Sequence, residues 1–79
     1  MNERQQILYM QARIMRLASG KWSRPIEAIA ELFAEFHVFQ YMEACFGIFH
    51  VEGDEAILED VARYLENKGA INPAGPILF

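Results

Sequence analysis

Cysteine is almost missing from this 79-residue chain: Cys45 stands alone. An internal disulfide is therefore excluded, one chain cannot build a thiolate metal cluster, and a reducing compartment fits the composition best. Long apolar runs are missing too. No segment approaches the roughly 20 apolar residues of a membrane-spanning helix, and the opening MNERQQILYM has no basic region leading into an apolar stretch. The chain reads as soluble and cytoplasmic. Strand-like alternation, internal repeats and low-complexity segments are absent, as are the glycine signatures that cradle phosphates or dinucleotides. Positive charge thins out after Arg24, where only Arg63 and Lys68 remain.

What is present is apolar mass, 53% of residues with 13% aromatic, more than a disordered chain carries. So small a volume cannot hide all of it, which leads us to expect a homo-oligomer or a protein partner. The net charge of −4 is unevenly distributed. Up to Arg24, five basic residues (Arg4, Arg13, Arg16, Lys21 and Arg24) oppose Glu3 alone, while from Pro25 onward two basic residues face ten acids. Two readings of this asymmetry stand. A basic first helix lies against acidic ones, or an acidic face comprising Glu27, Glu31, Glu35, Glu43, Glu52 and Glu55 docks onto a basic partner.

Apolar spacing predicts an all-α bundle of about four short helices. The first runs from about Asn2 to Ala18, its stripe of Ile7, Met10, Ile14 and Leu17 widened by Leu8, Ala12 and Met15, so it should be largely buried. Ser19-Gly20 is the expected stop. Ser23 is the expected N-cap of a second helix, with Pro25 in its first turn. That helix buries Ile26, Ile29, Leu32, Phe33 and Phe36 and sets Glu27, Glu31 and Glu35 at four-residue steps on the other side. A tight turn at His37-Val38 precedes a third helix to His50, in which Gly47 should admit a close neighbour. Asp54 is the expected N-cap of a fourth helix, ending near Lys68 with Gly69 as its stop. The helical domain spans residues 1–69. Residues 70–79, AINPAGPILF, form a non-helical tail whose apolar end, Ile77, Leu78 and Phe79, either folds back or docks onto a neighbour.

Little chemistry is available. Near-neutral protonation is confined to His37, His50 and, at most, Cys45. Cys45 and His50 lie about 140° apart around a helix, which argues against a nucleophilic pair; no metal-ligand spacing is recognisable. The best polar constellation is the corner formed by His50, Gly53, Asp54 and Asp60, with Gly53 expected at positive φ. His50 either bonds Asp60 or caps helix carbonyls; a general base oriented by Asp60 would still lack a nucleophile and an oxyanion donor. A helix-turn-helix reading of the second and third helices fails on charge, because VFQYMEACFGIFH has no Arg or Lys. Nucleic acid would have to be bound by the basic first helix.

The chain resembles a family of short uncharacterised bacterial helical domains. The resemblance rests on Leu32-Phe33, Val38, Tyr41, the Phe49-His50-x-x-Gly53 corner, then Glu59-Asp60-Val61, Tyr64 and Lys68-Gly69. It departs at Val51, where the family usually carries threonine, and so loses a hydroxyl at the corner. The resemblance implies a small helical domain without established activity. Relatives beside ADP-ribosyltransferase-like domains imply an antitoxin-like or regulatory role.

The expectation from sequence is a non-enzymatic interaction or regulatory module without a cofactor, binding protein through Glu27, Glu31 and Glu35 or through Ile77, Leu78 and Phe79. A nucleic-acid-binding regulator using the first helix and an enzyme using a His50–Asp60 pair are the alternatives.

Overall fold

The structure, a computed structural model, describes residues 1–70; the expected docking segment Ile77-Leu78-Phe79 lies outside the described residues. Helix α1, Glu3–Trp22, begins with a reciprocal cap. The Asn2 side chain accepts from the Gln5 amide at 2.8 Å, and the Asn2 amide donates to the Gln5 side chain at 3.1 Å. The helix does not stop at Ser19-Gly20. It continues to Ser23, which takes the left-handed conformation at φ 53°. Ala18 is fully buried and Trp22 packs against the core, and this tertiary contact outweighs the roughly 1 kcal/mol that an interior glycine costs. Ser19 then ties down the turn, its hydroxyl donating to the Arg24 carbonyl at 2.5 Å while its own carbonyl accepts from the Arg24 amide at 3.2 Å.

Ser23 therefore ends α1 instead of capping α2, Ile26–Glu35. Pro25 occupies the N-cap position, its carbonyl accepting from Ala28 and Ile29. Ile26, expected on the buried face of this helix, stays exposed at its first turn. The chain reverses at His37, left-handed at φ 60°, so the expected turn is present. Beyond it the expected third helix is divided at Cys45 (φ −96°, ψ 7°) into α3, Val38–Ala44, and a single turn α4, Phe46–Phe49. A Cβ on Gly47 would meet nothing within 4 Å, so this glycine does not serve a close helix crossing.

Helix α5, Asp54–Asn67, is capped by Gly53 and not by Asp54, which forms the first residue of the helix. Gly53 has φ −76°, so the corner does not require a left-handed residue there. At the far end, Gly69 at φ 75° closes a Schellman turn: Ala70 N–H bonds the Leu65 carbonyl at 2.9 Å and Gly69 N–H the Glu66 carbonyl at 3.0 Å. Among the described residues there are five helices and no strand, and the fold is an all-α bundle. Its core joins Ile14 and Met10 of α1, Ile29 and Phe33 of α2, Met42 of α3 and Val61 and Leu65 of α5. No helix among the described residues is long and apolar enough to cross a membrane.

Candidate interaction surface

The corner residues serve the fold separately. The His50 ring stacks on Phe46, and its Nδ1 lies 3.0 Å from the Phe46 carbonyl, the contact that an Nδ1–H donor makes as a helix cap. Asp60 pairs with Arg63 one turn along α5. Asp54 accepts from the Arg13 guanidinium at 3.2 Å. Gly53 contributes only backbone. Of the two alternatives for His50, the contact with a helix carbonyl is the one present, and Asp60 is engaged elsewhere; a cleft of about 220 Å³ takes in His50, Glu52 and Arg13 without Asp60.

The charge asymmetry resolves into contacts across the bundle. Arg4 pairs with Glu43 at 3.1 Å, Arg13 with Asp54, and Lys21 with Glu55 at 2.7 Å. A basic α1 thus lies against acidic residues of α3 and α5, and three of its cations are engaged within the chain. Arg24 also has a partner. Arg16 differs, making no ion pair or hydrogen bond among the described residues. The acids of α2, Glu27, Glu31 and Glu35, are exposed and likewise unpaired among the described residues.

Helix α1 is not largely buried, contrary to the reading of its wide stripe. Ile7, Met10, Ile14 and Ala18 face the core. Leu8, Ala12, Met15 and Ser19 form a second stripe roughly 100° further around the helix. Leu8 remains 51% exposed and the adjacent Tyr9 57% exposed. Two hollows run along this side and meet at Ala12. One of about 280 Å³ is bounded by Gln5, Leu8, Tyr9 and Ala12; the other, about 560 Å³, by Ala12, Met15, Arg16, Ser19 and Ile26 of α2. From Leu8 to Ser19 the strip extends about 16 Å at 1.5 Å per residue. Its lining is apolar apart from Gln5, the Tyr9 hydroxyl, Ser19 and Arg16, which has no partner among the described residues. The wide stripe was legible in the sequence, but which part of it would lack a neighbour was not.

Burial pushes the Tyr41 phenol above its ordinary value of 10.0, with the nearby Cys45 and Asp60 adding to the effect and Arg63 opposing it. Among the described residues, no three His, Cys, Asp or Glu side chains gather where they could hold a metal ion.

A family model described as "Protein of unknown function (DUF3791)" matches residues 9–68, and the chain belongs to that family. No curated protein and no solved structure matches it.

Proposed function

We propose that this family member works by binding protein, through the outer side of α1, and carries out no reaction of its own. The observation that carries the reading is the second apolar stripe of α1, where among the described residues Leu8, the adjacent Tyr9 and Ile26 of α2 are exposed and border hollows floored by half-buried Ala12 and Met15, while the first stripe fills the core. Covering it returns roughly 25 cal/mol for every Å² of apolar surface removed from water. The non-enzymatic part is supported by the engagement of the candidate acid–base groups in structural bonds, His50 with Phe46 and Asp60 with Arg63. The nucleic-acid alternative is weakened by the same kind of bookkeeping, since Arg4, Arg13 and Lys21 are already neutralised by Glu43, Asp54 and Glu55.

The test compares the wild type with a Leu8→Ser/Tyr9→Ser variant, both positions being exposed, each protein tagged and expressed in the native host. The wild type is expected to elute with a stoichiometric protein partner, either another copy or a different chain. The variant should keep the helical signal and lose that partner. A lone wild-type monomer at tens of micromolar, together with no stoichiometric capture, would overturn the reading.

A further inference from the structure

We propose that the α1 strip is covered by α2 of a second copy of this chain, in a two-fold dimer that sets Arg16 of each copy against Glu27 and Glu31 of the other. This deepens the interaction reading above and rests on it. Two complementary features on one molecule point to self-association. The first is the apolar strip of α1, whose only charged lining residue, Arg16, has no partner among the described residues. The second is the outer side of α2. There Ile26, Ala30 and Ala34 follow one another at four-residue steps, and Glu27, Glu31 and Glu35 run alongside them, exposed and unpaired among the described residues.

An apolar strip carrying a cation and a small-residue strip carrying carboxylates, none of them paired among the described residues, suit each other in sign. Alanines let a helix axis approach closely, and Ile26 lies at the border of both features, so a two-fold axis along the α1–α2 seam brings each strip over the other's counterpart. The contact is isologous: the patch that receives is repeated by the patch that gives, so the assembly closes as a dimer and leaves neither strip open. Arginine in an apolar setting also strengthens the preference, because its guanidinium forms a paired contact with a carboxylate as water is excluded.

Charge reversal in two separate chains tests the arrangement. Sedimentation velocity over a concentration series is run on wild type, on Arg16→Glu, on Glu27→Lys/Glu31→Lys, and on an equimolar mixture of the two variants. All positions altered are exposed, and circular dichroism confirms that each variant folds. The wild type is expected to dimerise, and each variant alone to dissociate at least about tenfold more readily, since like charges then face each other at both contacts. The mixture should recover a dimer. In that heterodimer the introduced carboxylate meets the introduced ammonium groups at one contact, while at the other the native Arg16 meets the native Glu27 and Glu31. Dimers of both variants as tight as wild type, or a mixture that stays monomeric, would overturn the arrangement. A monomeric wild type overturns the second copy as occupant; the broader reading then stands if a different chain is captured in a manner that depends on the exposed Leu8 and Tyr9, and falls with it if nothing is captured.

Discussion

The hydroxyl of Tyr64 donates to the carbonyl oxygen of Phe36 at 2.7 Å. Phe36 is the C-cap of α2, where the last carbonyls of a helix have no partner within it. The same tyrosine ring stacks on Tyr41 of α3 with centroids 4.3 Å apart and planes 20° from parallel. A single residue of α5 thus holds the α2–α3 reversal from both sides. Tyr64→Phe keeps the stack and removes the bond, and it should lower stability by about 1–2 kcal/mol in a denaturant titration. An unchanged midpoint would show that water replaces the hydroxyl without loss.

Tyr41 makes stability depend on alkaline pH. Its phenol titrates higher in the folded chain than its ordinary value of 10.0, so above that value the unfolded chain releases a proton that the folded chain retains. The sign follows: the contribution is complete below about pH 10 and is lost as pH rises through the folded value. Tyr41→Phe should therefore show a shallower fall in melting temperature between about pH 9 and about pH 11 than the wild type, and parallel curves would refute the assignment.

Gly53 and Gly69 should respond in opposite ways. Gly69 sits at φ 75°, where a Cβ is strained even though nothing crowds it. Gly69→Ala is expected to cost about 1 kcal/mol. Gly53 is an N-cap with extended backbone and no side chain to accept from the first turn of α5. Gly53→Asn should add a few tenths of a kcal/mol. Thermal melts of the two variants moving in the same direction would contradict the cap geometry.

The ion pairs between α1 and the acidic helices should contribute modestly. Arg13 and Asp54 are 46% and 39% exposed, and pairs in such settings are worth about 0.2–1 kcal/mol. A double-mutant cycle with Arg13→Ala and Asp54→Ala should return a coupling in that range at low salt and a smaller one at about 1 M salt, where screening acts within about 3 Å. Coupling that does not respond to salt would place the pair in a drier environment than its exposure indicates.

Helical character, the approximate course of α1, α2 and α5 and the charge asymmetry can be read from the chain alone, whereas the pairing of α1 with acidic residues of α3 and α5 is decided by the fold. Apolar residues at helical spacing are a local signal, and Pro25, His37-Val38 and Gly69 punctuate it where the chain turns. Other boundaries follow from packing. Buried Ala18 and half-buried Trp22 carry α1 past Gly20, and the expected third helix breaks at Cys45, where no proline or glycine marks the site. Packing also selects which apolar stripe of α1 is core. Ile7, Met10, Ile14 and Ala18 turn fully inward, whereas Leu8 stays exposed and Ala12 and Met15, half-buried, line the hollows beside it. Periodicity reports that a residue is apolar and on which side of its own helix it lies; whether another element covers that side depends on how short connections arrange the remaining helices. The corner of His50 and Asp60 shows the same limit. Both residues were conspicuous in the sequence, yet their partners, Phe46 and Arg63, are one helical turn away in their own segments, and the two do not bond to each other.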